Sequence, residues 1–127
     1  MVGSSENGYA VNKARIAELD HRSARIRELN DAFRQGRGSG MLTVTPGIRS
    51  LDTALMTAIL TQVRAFTAFS DDNDPYGEHD FGSIEAGSTR VFWKIDCYDK
   101  QLEYGSPDPA DPAVTTRVLT IMLAEEY

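Results

Sequence analysis

From Arg90 to Tyr98 the chain reads R-V-F-W-K-I-D-C-Y, and this alternation constrains the fold more than any other stretch. In an extended strand Val91, Trp93, Ile95 and Cys97 fall on one side, and Phe92, Lys94, Asp96 and Tyr98 on the other. The first set is a core face. The second mixes aromatic rings with charge, so it is half-exposed or functional. Phe81 to Glu85 reads as a preceding strand, joined across Ala86-Gly87-Ser88-Thr89 in a β-hairpin. The remaining chain must supply a layer that covers the Trp93 side.

That layer reads as helix. From Tyr9 to Gln35 the residues Ile16, Leu19, Ile26, Leu29 and Phe33 recur at threes, fours and sevens, giving one apolar stripe that Ser23 interrupts. Glu18–Arg22, Arg27–Asp31, Arg15–Glu18 and Arg25–Glu28 are spaced to pair along the outer face. The ordinary reading is a solvated helix with one buried edge, semi-independent of the body; the sharper one is a docking helix or a dimer seam. Residues 1–8 are expected to form a disordered tail. Gly36-Arg37-Gly38-Ser39-Gly40 makes a joint, Met41 to Thr45 a short strand, and Pro46-Gly47 a turn. Ser50 is the expected N-cap of a central helix from Leu51 to Phe69 that buries Leu51, Leu55, Ile59, Val63 and Phe66. Gly105 to Pro112 is a rigid connector. Asp111 followed by Pro112 predicts a last helix, Ala113 to Glu125, burying Val114, Val118, Ile121 and Met122. The expectation is a single α+β domain over residues 9–127: a small antiparallel sheet of about three strands packed with three helices, in the order α-β-α-β-β-α.

The formal charge of −6 is unevenly spread. Residues 1–37 hold seven basic against five acidic side chains, a net of +2; residues 38–127 hold six against fourteen, a net of −8. A body of that sign repels phosphate backbones and suits a basic partner. Direct nucleic-acid binding is therefore not expected. One cysteine cannot close an internal disulfide, which fits a reducing compartment. The polar start and the lack of a long apolar run give no sign of a signal peptide or a membrane span, so the expected location is cytoplasmic.

The densest chemistry lies between Ser70 and Asp80. Asp71, Asp72, Asp74, Glu78 and Asp80 crowd one turn with Asn73, Tyr76 and His79, and Pro75 and Gly77 suggest that the turn is fixed. As a calcium loop starting at Asp72 it fails, because Tyr76 and Ser83 stand where ligands are required. His21, His79 and Cys97 are isolated, without the spacing of a zinc site. Lys94 lacks an acidic residue two positions before it, so a nuclease metal template fails. The glycines at 36, 38 and 40 do not make a phosphate loop. No metal or cofactor is expected. Two readings of the rest stay open. His79, Asp80, Lys94, Asp96 and Tyr98 could form an acid–base cluster, with Glu78 and Asp80 tuning the imidazole. Equally, they could form a hydrogen-bonded network that pins the turn to the sheet.

Three segments, Asn73 to Gly82 (N-D-P-Y-G-E-H-D-F-G), Val91 to Asp99 (V-F-W-K-I-D-C-Y-D) and Ser106 to Tyr127, resemble in this order a bacterial family of domains of unknown function, the one numbered 3768. The similarity spans about Ile26 to the C-terminus. The family often carries an aromatic residue where this chain has Cys97, which speaks against a catalytic thiol. The resemblance implies a setting in plasmids and other mobile elements, and so an accessory or anti-defence role, without implying a chemistry.

The expected function is non-enzymatic binding. Asp71, Asp72, Asp74, Tyr76, Glu78, Asp99 and Glu103 form the candidate surface, and a protein with a basic surface is the candidate partner. The alternatives are an acid–base or metal-dependent enzyme using Glu78, His79 and Asp80 with Asp96, and a homodimer built through the first helix. Monomer and homodimer both stay open.

Overall fold

The computed structural model describes the backbone of residues 2–127 and the side chains of residues 12–127; the tail expected over residues 1–8 lies outside the described side chains. The elements run α1 (Val2–Arg34), β1 (Met41–Val44), α2 (Pro46–Arg49), α3 (Thr53–Arg64), β2 (Phe81–Ala86), β3 (Thr89–Tyr98) and β4 (Thr116–Leu123), with single 3₁₀ turns at Pro112–Val114 and Ala124–Glu126. The class is α+β, as the periodicities indicate. The sheet has four strands in the order β1-β4-β3-β2. β4 pairs antiparallel with β3 and parallel with β1, so the sheet is mixed.

The chain's last element corrects the expected helix. Asp111 does cap a helical start, its carboxylate accepting from the Ala113 N–H at 2.9 Å, but the turn stops after Val114. From Thr116 the residues alternate: Arg117, Leu119 and Ile121 are buried, while Thr116, Val118 and Thr120 are half-exposed. A segment rich in Thr, Val and Ile packs well on a pleated surface. Here it slots between the two strands that need it.

The hairpin forms as expected, in register Phe81↔Lys94 to Ala86↔Thr89, with Gly87 at φ +63° in the turn. Only glycine fits at position 82, because a Cβ there would overlap the Trp93 indole on the paired strand. The core gathers Ile84, Val91, Trp93, Ile95, Leu119 and Ile121 under Ile48, Ile59, Val63 and Phe66.

α3 is shorter than its apolar stripe. Asp52, not Ser50, is its N-cap, accepting from the Leu55 N–H at 2.8 Å; the Ser50 hydroxyl instead donates to the Pro46 carbonyl. The helix ends at Arg64, and Phe66 and Phe69 turn inward to meet Trp93 edge-on, at centroid distances of 5.4 and 6.1 Å. The expected helix to Phe69 fails because aromatic burial outweighs one more turn of propensity.

Among the described residues, α1 docks through its second half. Ile26, Asn30 and Arg34 are buried, whereas residues 12–20 are all exposed. Of the expected ion pairs Arg25–Glu28 forms, at 3.4 Å, while Arg22, Arg27 and Asp31 turn toward the body. Among the described residues no helix is long and apolar enough to cross a membrane.

Candidate functional site

The acidic turn is held from inside. Asp74, at its centre, is buried, and its carboxylate accepts from the Glu78 and His79 N–H groups at 3.1 and 3.2 Å. Gly77 and His79 both take positive φ, +67° and +54°. For a histidine that conformation is strained, so the surroundings must enforce it. α1 does so. Arg27 donates to the Gly77 carbonyl at 2.9 Å, and Asn30 donates to the Glu78 carbonyl at 2.9 Å. His79 Nδ1 donates to Asp31 at 2.9 Å, with Nε2 lying 3.6 Å from Asp74. Its ring stacks on Phe69, with centroids 3.7 Å apart and planes within 4°. Beneath, the buried Arg34 pairs with Asp31 at 2.9 Å, donates to the Phe66 carbonyl and lies against the Phe69 and Trp93 rings.

This arrangement separates the residues that an acid–base cluster would need together. His79 faces Asp31 and Asp74 on the covered side of the sheet. Lys94 and Asp96 pair with each other at 2.9 Å on the opposite face, in line with Tyr98. That carboxylate's hydrogen bond raises the Lys94 pKa and keeps the ammonium charged. Asp74 also leaves the candidate surface, since its carboxylate is spent on the turn's own backbone. Asp71, Asp72 and Tyr76 remain on the outside, with Tyr76 78% exposed. Asp99 and Glu103 belong to a separate loop after β3, where Asp99 accepts from the Glu103 N–H at 3.0 Å.

Beside the turn lies a cleft of about 210 Å³ whose lining includes Asn30, Glu78, Asp80, Ile95, Asp96 and Cys97. Its carboxylates are unsettled. Partial burial raises the Glu78 pKa, and the charges of Asp80 and Asp74 raise it further, against the pull of Arg22 and Arg117. Asp80 keeps part of its surface in water, yet loss of hydration at its carboxyl raises its pKa, with Asp74 and Asp96 adding to the effect. Burial likewise pushes the Cys97 thiol up, away from the reactive thiolate. Arg117 donates through Nε to Asn30 Oδ1 at 2.7 Å and through Nη2 to the Pro109 carbonyl. Asn30 therefore bridges β4 to the acidic turn. The site's chemistry is an excess of negative charge, partly dehydrated and only partly balanced. Such a place gains from a cation or a basic side chain brought to it.

Among the described residues, no three His, Cys, Asp or Glu side chains are grouped to hold a metal ion. A larger hollow of about 430 Å³ lies at the hairpin end of the strands, lined by Leu51, Ser88, Thr89, Arg90, Leu123, Ala124 and Glu125. It gathers one basic and one acidic side chain and no constellation suited to catalysis.

Sequence reasoning missed Asn30, Asp31, Arg34 and Arg117 as parts of this region. Asn30 had a signal: it stands on the apolar stripe between Ile26 and Phe33, where a polar residue implies a buried partner. Arg117 had none while its segment read as helix.

No curated protein and no solved structure matches the chain. The profile of the family described as "Protein of unknown function (DUF3768)" matches residues 44–126, more than half of the 127 residues. The chain belongs to that family.

Proposed function

We propose that the chain is a non-enzymatic binding protein whose acidic turn engages a protein with a basic surface. The observation that carries this reading is Tyr76. It is 78% exposed at the tip of a turn whose backbone is locked by Asp74 from within and by Arg27 and Asn30 from α1. An exposed tyrosine on a fixed backbone, in the same turn as the exposed Asp71 and Asp72 and followed by the crowded carboxylates of Glu78 and Asp80, suits a partner that brings lysine or arginine next to an apolar contact. The His79 environment supports the anchoring network over acid–base work, because its imidazole is held by Asp31 and stacked on Phe69. The concrete form is an accessory or anti-defence inhibitor that covers another protein's nucleic-acid-binding site, acting in the reducing cytoplasm.

The test is binding of the full chain to an immobilised array of basic, neutral and acidic peptides. Basic peptides are expected to bind, and to weaken when ionic strength rises from about 0.1 to about 1 M, which shortens the screening length from about 10 to about 3 Å. Tyr76→Ala and the Asp71→Asn/Asp72→Asn pair are each expected to weaken them. Retention that ignores salt and both variants would remove the proposal.

A second reading is a homodimer through α1. It is favoured by Ile16 and Leu19, which stay 60% and 55% exposed on the same stripe that buries Ile26 further along.

A further inference from the structure

We infer that the loop from Asp99 to Gly105 is a second, preformed anchor for the same partner, presenting Leu102 and Tyr104 to an apolar pocket bordered by basic side chains. This rests on the binding reading above. The loop follows β3 directly, and Tyr98 bridges to Gly105, so the segment closes into a tight knuckle. Its hydrogen bonds are internal: Asp99 N–H to the Tyr104 carbonyl, Leu102 N–H to the Asp99 carbonyl, and Glu103 N–H to the Asp99 carboxylate. Leu102 sits at φ +60°, where glycine or asparagine would make the same turn with less strain. Its side chain is nonetheless 46% exposed, and Tyr104 is 73% exposed. A leucine in this conformation costs the fold its strain and recovers only part of the burial it could gain, and nothing in the loop's own hydrogen bonding calls for it. Residues held this way gather where a surface is used.

The register places the knuckle with the acidic turn. The Asp80 carbonyl accepts from the Ile95 N–H just before β2 begins, and Tyr98, opposite Thr116, ends β3. Both loops therefore leave the sheet at the same end. Asp99 and Glu103 outnumber the single Lys100 within the knuckle, and residues 38–127 carry a net −8, so charge complementarity selects a basic rim around the pocket that receives Leu102.

The experiment pans short random peptides displayed on phage against the full chain and titrates the selected peptides against three variants. Leu102→Gly relieves the backbone and is expected to melt about 2–5 °C higher than the parent chain. Selected peptides should combine lysine or arginine with a large apolar residue, and should lose about tenfold or more in affinity on Leu102→Gly and on Tyr104→Ala. If peptides bind both of these variants as they bind the parent chain, the second anchor is wrong; should the same peptides fail on Tyr76→Ala, the acidic-turn reading survives without it. If they fail on the knuckle variants and not on Tyr76→Ala, the knuckle stands and the turn falls. No selection of basic peptides overturns both.

Discussion

Glu78 shows how a partly buried carboxylate can weigh against the fold. Its carboxyl, sunk beside Asp80 and Asp74, has a pKa raised above the ordinary 4.5. The folded chain therefore holds that proton to higher pH than the unfolded chain does. The resulting contribution to stability is complete below about pH 4.5 and is lost as pH rises through the folded value. At neutral pH the ionised group is a net burden. Glu78→Gln keeps the shape and removes the charge, so its melting temperature should exceed that of the parent chain at pH 7. The two should converge in acid, where Glu78 is already neutral. A lower melting temperature for Glu78→Gln at pH 7 would mean that the attraction of Arg22 and Arg117 outweighs the carboxylate crowding. At this scale the sequence displayed the acidic residues and hid their roles. Asp71 and Asp74 look alike in the chain, yet the first is solvated and the second is an internal cap.

At the scale of elements, legibility followed how local the deciding interactions are. The hairpin was readable because alternation and a Gly-Ser turn specify it within a short span. β4 was not, because Val114, Val118, Ile121 and Met122 fit a helical stripe as well as a pleat, and Asp111-Pro112 opens a real helical turn. What decides is an empty slot between β1 and β3, a long-range fact absent from any local window. α1 was legible as a helix but not as a clasp. It holds the acidic turn mainly through polar contacts, with Asn30 joining the Arg117 guanidinium to the Glu78 carbonyl. Asn30→Ala leaves the buried Arg117 guanidinium and the part-buried Glu78 carbonyl without that partner. A loss of roughly 1–3 kcal/mol in urea unfolding is expected, since unmet hydrogen bonds cost that much. A loss below about 0.5 kcal/mol, the range of ordinary surface substitutions, would show that α1 does not fix the turn.

Over the whole molecule, exposed apolar side chains occur both on α1, at Ile16 and Leu19, and at the acidic end, at Tyr76, Leu102 and Tyr104. The family match covers residues 44–126 and includes the acidic turn and the knuckle, while α1 lies before it. Residues 12–20 of α1 are all exposed, with Ile16 and Leu19 uncovered. A helix standing free in water gains little from its own hydrogen bonds and is stabilised by covering its apolar stripe. A second copy offers the same stripe, with Arg15 and Asp20 at its margins able to pair across a parallel seam. The homodimer reading therefore predicts a concentration-dependent dimer in sedimentation, which the Ile16→Glu/Leu19→Glu pair converts to monomer without lowering the melting temperature of the body. A parent chain that sediments as a monomer at every concentration removes that reading. It leaves the acidic end untouched, because the turn is clamped by Arg27, Asn30 and Asp31, beyond the exposed residues 12–20. The two surfaces stand or fall separately because residues 12–20 are all exposed, while the side chains that hold the turn lie further along the helix.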